Sequence, residues 1–245
     1  MEGRHMRLSS FAGSDVGLAR SGNEDSYLCG RTVFAVADGL GGHQGGEVAS
    51  AAAVEPLAAL DGRGFADPGD AAQALAAAIR QANTAILDQA AANPGLWGMG
   101  TTLTAAALAG DRHLQLAHVG DSRAYLLRDG ALDQLTTDHT VVGELVRRGR
   151  LTPGQAAVHP ERSILTRAVG LDPTVPVDLP DPLELQPGDQ VLLCSDGLTE
   201  AVDDDRIADL LSTATDGNAA CRSLIDAANA AGGPDNITVV LVRVA

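Results

Sequence analysis

Between residues 101 and 132 the chain offers three short apolar or β-branched runs and the start of a fourth, each separated by only a few residues. A parallel crossover needs about a dozen residues or more, so runs this close together must pair antiparallel. They cover residues 101–108, 113–119 and 124–128, and Arg128-Asp129-Gly130 is a hairpin turn signal ahead of Ala131-Leu132. Further strand candidates lie at residues 32–37, 190–194 and 237–244. Helices are predicted over about 47–60, with Pro56 a point of kinking, and over about 70–92, where Leu75, Ile79, Ile86 and Ala90 fall at helical spacing. Asn93-Pro94-Gly95 ends the second. Later helices are predicted at 204–211 and 218–230. This order predicts an α+β fold, antiparallel sheet covered by helices, rather than a doubly wound parallel sheet. Periodicity leaves open whether the strands form one sheet or two.

At 245 residues the chain suits one large domain or at most two small ones, and its 45% apolar content can fill a core. No run approaches the roughly 20 apolar residues of a membrane helix. The formal charge of −15 argues against a nucleic-acid partner. All 17 basic residues are arginine. Without lysine there is no P-loop nucleotide site, no protein-kinase site and no Schiff base. Cys29, Cys194 and Cys221 form no CxxC pair and read as reduced thiols, which favours a cytoplasmic setting. Residues 1–6 read as a tag-cleavage and cloning remnant, leaving 7–245 as a single domain.

One device recurs. Val33-Phe34-Ala35-Val36-Ala37 runs into Asp38-Gly39, Leu116-Ala117-His118-Val119-Gly120 into Asp121, and Val191-Leu192-Leu193-Cys194-Ser195 into Asp196-Gly197. In the inverse order, Asp235-Asn236 opens Ile237-Thr238-Val239-Val240. A single Asp-Gly is ordinarily a β-turn. Four carboxylates on buried strand ends are harder to dismiss. If those ends meet, the charges need compensation by arginine or a divalent cation. An all-oxygen donor set favours Mg²⁺ or Mn²⁺ over zinc.

Taken in order, several motifs resemble the metal-dependent protein phosphatases of type 2C, bacterial branch. They are Arg20-Ser21-Gly22-Asn23-Glu24-Asp25, Val36-Ala37-Asp38-Gly39-Leu40-Gly41-Gly42-His43 with Glu47, Gly100-Thr101-Thr102, Val119-Gly120-Asp121-Ser122-Arg123, Cys194-Ser195-Asp196-Gly197-Leu198 and Asp235-Asn236-Ile237-Thr238. The resemblance spans about residues 8–244. It implies two stacked antiparallel β-sheets flanked by α-helices. It also implies hydrolysis of phosphoserine and phosphothreonine by a hydroxide bridging two Mn²⁺ or Mg²⁺ ions, reversing a Ser/Thr kinase. By motif match Asp38 bridges the metals, Asp196 and Asp235 hold the first, and the Gly39 carbonyl holds the second. Glu24 reaches the second through water, with Asp25 behind it and Asn236 beside Asp235. Asp121, with Asp196, matches the site of a weaker third ion, and Arg20 the arginine that grips the substrate phosphate. The partners implied are phosphoproteins and a kinase, and the expected state is a monomer. Some bacterial relatives continue into a linker and membrane anchor, and others stand alone.

Members of the animal kind carry His directly after the metal-binding Asp-Gly. Here that position is Leu40, with His43 three residues on, so the implied proton donor is a metal-bound water. Residues of about 140–165 match the family's variable flap and hold Arg147, Arg148, Arg150 and Arg162. Either they form a solvated helical face over Val142, Leu145 and Val146, or a mobile cover that meets the phosphopeptide or gates the third metal.

The histidines show no HExxH pattern, and His113 and His118 fall on opposite strand faces. Thr137-Asp138-His139 reads as a helix cap supplied by Thr137 or Asp138. Ser195 lacks a nucleophile elbow. Asp15 and Asp172 read as solubilising surface acids. A second function class stands beside the enzyme, a phosphoprotein-binding module that has lost turnover. Such a module is expected to have lost one of Asp38, Asp196 and Asp235, and all three are present.

Overall fold

The computed structural model describes residues 7–41 and 45–245. Two five-stranded antiparallel sheets stack face to face. In spatial order the first contains β1 (Leu8–Asp15), β12 (Ile237–Val244), β11 (Gln190–Cys194), β8 (Arg123–Arg128) and β9 (Ala131–Gln134). The second contains β10 (Leu183–Glu184), β7 (His113–Val119), β6 (Leu103–Ala109), β3 (Val33–Ala37) and β2 (Ser26–Cys29). A small ribbon of β4 (Gly39–Leu40) and β5 (Gly100–Thr101) stands beside them.

Period-two alternation sorts the side chains into layers. Phe34, Val36, Leu114 and Leu116 from one sheet meet Leu126, Val191, Leu193, Val240 and Val242 from the other. On the outer face of the second sheet, Val33, Ala35, Ala37, Ala105 and Ala107 pack under α1 (Gly45–Ala58) and α2 (Pro68–Ala92). On the outer face of the first, Leu192, Cys194, Val239 and Leu241 pack under α6 (Asp204–Thr213) and α7 (Gly217–Ala230). With both faces covered, central strands become unbroken apolar runs, and all five residues of β3 are buried. Each large side chain so buried contributes about 1.5–3 kcal/mol. The two-sheet, α-β-β-α arrangement is that of the resemblance, and the antiparallel pairing is that of the short connections.

The structure departs from the sequence reading in several places. β1 was not among the expected strands, yet it pairs with β12 along its whole length. The expected strand at 101–108 is broken at Thr102, between β5 and β6. Helix α1 runs through Pro56. Helix α2 starts earlier than expected, at Pro68, where the Asp67 side chain accepts the Asp70 N–H at 3.0 Å. The cap of α3 (Val141–Arg147) is Thr140, not Thr137 or Asp138: its hydroxyl accepts the Gly143 N–H. Asp138 is instead taken by Arg123 in a bidentate pair. Between Thr140 and Leu165, which form an antiparallel bridge, the chain makes α3 and α4 (Pro153–Ala157).

Candidate active site

Antiparallel pairing brings the acidic strand ends together. β11 runs against β12, so the turn after Cys194 lies beside the chain that opens β12, and Ser195 N–H donates to Thr238 O at 3.0 Å. β11 also runs against β8 in a register that pairs Cys194 with Arg123, which sets Asp196 near Asp121. In the other sheet Val36 faces Thr104 and Leu103 faces Val119, so Asp38, Thr102 and Gly120 are neighbours. The four carboxylates scattered along the sequence thus share one end of the sandwich.

The backbone around them is held tightly. The Asp38 N–H donates to Thr102 Oγ1 at 2.9 Å, and its carbonyl accepts from Thr102 N at 2.9 Å and Thr101 Oγ1 at 2.8 Å. The break at Thr102 frees these groups from strand pairing. Close approach demands glycine twice: a Cβ at Gly39 would lie 2.2 Å from Gly46 O, and one at Gly197 2.1 Å from Asn236 O. Asn236 is the splint of the site. Its Nδ2 donates to Val16 O and Gly22 O at 2.9 Å, and its Oδ1 accepts Glu24 N–H at 2.8 Å. The Arg20–Glu24 loop is thereby fastened to the Asp235 turn. Asp15 is no stray acid either, since it accepts from Gly17 N and Asn229 Nδ2.

Burial pushes the Asp38 carboxyl well above the ordinary range, and Asp196 beside it, close enough to share a proton, adds repulsion. Burial and neighbouring acids likewise raise Asp121 to about 8, Asp196 to about 7 and Asp25 to about 6. Glu24 is raised too, chiefly by burial. Among the described residues Asp38, Asp121 and Asp196 form no ion pair. Asp235 does: Arg20 Nη2 lies 2.6 Å from its Oδ2, and the Asn236 N–H occupies Oδ1. Asp25 Oδ2 accepts from Ser195 Oγ at 2.7 Å, which gives that buried serine a structural task. Leu40 is held in the ribbon opposite Gly100, and His43 lies outside the described residues.

Among the described residues no three acidic, histidine or cysteine side chains are already closed into a metal cage. Several of the oxygens are engaged by protein donors instead. The donor set nevertheless fits hard cations. Asp196 Oδ1 and Asp25 Oδ1 are buried with no hydrogen-bond partner. Buried polar atoms are nearly always satisfied, so two orphaned carboxylate oxygens among crowded acids mark a deficit of positive charge.

Residues missed by sequence reasoning surround this cluster. Thr101 and Thr102 appeared only within a motif, without the backbone role seen here. Ser122 bonds Thr102 Oγ1 at 2.6 Å, and Glu200 receives Ser163 Oγ at 2.8 Å from the 140–165 segment. Their signal is adjacency to the acidic motifs and nothing stronger.

Comparison with known proteins agrees with this architecture. Residues 21–227 match the family model described as Protein phosphatase 2C. The serine/threonine protein phosphatase PstP of Mycobacterium tuberculosis is 48% identical over 241 residues, covering 97% of this chain and 45% of that protein. The serine/threonine phosphatase stp of Listeria welshimeri is 39% identical over 94% of this chain and 93% of its own length. The crystal structure of the PstP catalytic domain in complex with two manganese ions superimposes with a TM-score of 0.88 at 43% identity, covering 98% of this chain and 99% of that one. The fold is that of a protein phosphatase 2C domain. The chain belongs to the protein phosphatase 2C family, and it spans less than half the length of its mycobacterial relative.

Proposed function

We propose that this domain hydrolyses phosphoserine and phosphothreonine in proteins with two Mn²⁺ or Mg²⁺ ions, acting on the products of a Ser/Thr kinase in the cytoplasm. The observation that carries the reading is the group of raised, partly unpartnered carboxylates at the joined strand ends. Asp38 would bridge the ions, with Asp196 and Asp235 on one and the Gly39 carbonyl on the other. Glu24 would act through water, and Asp121 with Asp196 would take a third, weaker ion. A bound pair supplies Lewis-acid stabilisation of phosphate oxygens and a water acidic enough to attack phosphorus near neutral pH.

The chain's own part is positioning. Thr101 and Thr102 keep the Asp38 carboxylate from turning away by fixing its peptide on both sides. Arg20, half exposed, can offer two parallel N–H donors to a phosphate once it leaves Asp235. Asn236 holds the loop that carries it. Leu40 has no proton to give, and the rings of His118 and His139 are buried and bonded at both nitrogens. The leaving-group proton therefore comes from water in this reading. Residues 140–165, tied to Glu200 through Ser163 and Arg162, would cover the bound phosphopeptide.

The test is release of phosphate from phosphoserine and phosphothreonine peptides and from an aryl phosphate, with Mn²⁺ and with chelator. Manganese-dependent turnover is expected. Phosphopeptide binding without turnover, in folded and manganese-loaded protein, would support the non-catalytic module instead.

A further inference from the structure

His139 lies outside the acidic cluster, its side chain 1% exposed, where the turn before Asp121 meets both limbs of the 140–165 segment. Its backbone N–H donates to Gly120 O at 2.8 Å, and its ring Nδ1 accepts the Gly120 N–H at 3.0 Å. Nδ1 is therefore unprotonated, and the proton on Nε2 is donated to Asp178 Oδ2 at 3.0 Å. Burial favours this neutral form. The His139 carbonyl accepts Thr166 N–H at 2.8 Å, and His118 stacks on the ring with centroids 4.7 Å apart.

Gly120 has little freedom left. Its φ is +109°, and a Cβ there would lie 2.6 Å from Thr102 Cβ. Thr102 is the residue whose hydroxyl holds Asp38 N–H. The peptide groups that flank Asp121 on its N-terminal side are thus clasped between His139 and the support of Asp38.

We propose that His139 is a positioning residue for Asp121: by holding both polar groups of Gly120, it aims the next carboxylate at Asp38 and Asp196. This rests on the reading of Asp121 as a ligand of the weaker ion. A purely structural His139 side chain would act instead through Asp178, pinning the connection beyond the 140–165 segment.

Two substitutions separate these roles. His139→Asn puts an oxygen near the place of Nδ1, so it keeps the Gly120 acceptor and gives up Asp178. His139→Gln puts an amide nitrogen near the place of Nε2, so it keeps Asp178 and gives up the Gly120 N–H, the backbone bond to Gly120 O remaining in both variants. Manganese binding is measured by calorimetry on both variants, the parent and Asp121→Asn, with melting curves to verify folding and kcat and KM on a phosphopeptide. In His139→Gln the weakest manganese site is expected to lose about 10–100-fold in affinity, with a lower kcat, the tighter sites intact and KM unchanged. His139→Asn is expected to stay close to the parent. Equal losses in both variants, or a parent-like His139→Gln, would overturn the proposal. If Asp121→Asn binds manganese like the parent, the ligand reading of Asp121 fails and takes this proposal with it. If Asp121→Asn loses the weak site and His139→Gln does not, only the role of His139 fails.

Discussion

Two partly buried polar clusters lie side by side at one end of the sandwich, and the chain treats them in opposite ways. Around Arg123 the donors and acceptors match. The guanidinium gives Nε and Nη2 to Asp138 and Nη1 to Tyr125 Oη, which passes its own proton to Asp204, while Gln134 Nε2 also reaches Asp138. Around Asp38 the acceptors outnumber the donors: Asp196 and Asp25 each leave a buried oxygen bare, and burial with mutual repulsion raises the carboxyls of Asp38, Asp121 and Asp196 above the ordinary range. A satisfied cluster stabilises a fold. An unsatisfied one destabilises it, and such deficits persist where they serve chemistry. In the proposed function, Arg123 has the structural task and Asp38 the chemical one.

The largest expected effect tests the unsatisfied side. Asp38→Asn should lower turnover by about a thousandfold or more. The same change puts a neutral amide where a carboxyl would repel its acidic neighbours on ionising, so the melting temperature of the metal-free protein should hold or rise. A clearly lower metal-free melting temperature would show that the acids are not in deficit, and the contrast would fail. The satisfied side should answer in reverse. Arg123→Met strands Asp138 and should cost about 3 kcal/mol in urea unfolding, with far less change in kcat of the folded fraction. Unchanged stability there would remove the structural role.

The two clusters also differed in how legible they were. Asp38, Asp121, Asp196 and Asp235 were readable because each ends or opens an apolar run, and the runs were plain because their strands are buried on both faces. β1 was not readable. It carries Ser9, Ser10, Gly13 and Ser14 among few apolar residues, as an edge strand with partly exposed faces can. The Arg123 network joins residues 15 and 79 positions apart, and His139 finds Asp178 39 positions away in a connection without periodicity. Such pairings are set by which ends the sheets bring together, and no local pattern encodes them. Arg20 was expected at the substrate. Its pairing with Asp235 could not be read before the turn at Asp235 was seen to meet its loop.

Proton occupancy sharpens the comparison further. The raised carboxyls keep protons that a cation must displace, so manganese should bind more tightly as pH rises from about 6 to 8, by about tenfold or more. The sign for folding is opposite. A carboxyl raised in the folded state stabilises it at low pH, and that contribution is lost as pH climbs through the raised values of about 6 to 8. Metal-free protein should therefore melt lower at pH 8 than at pH 6, and manganese should close the gap. Calorimetry in buffers of different ionisation enthalpy checks the released protons. Proton-neutral binding would mean that the acids are already ionised and that the deficit is smaller than argued.

The smallest effect concerns the one guanidinium that reaches across to the acidic side. Arg20 cannot hold both Asp235 and a substrate phosphate in full, and Asp235 cannot give the same oxygen to Arg20 and to a cation. In the proposed function the Arg20–Asp235 pair therefore competes with both phosphate and metal. Arg20→Ala removes the competitor along with the phosphate grip. KM for a phosphopeptide should rise about tenfold with a smaller change in kcat. Manganese affinity should stay level or improve, because Asp235 Oδ2 is left free. A manganese affinity that falls with the loss of Arg20 would mean that the arginine organises the acids rather than competing for one of them, and an unchanged KM would take it out of phosphate binding.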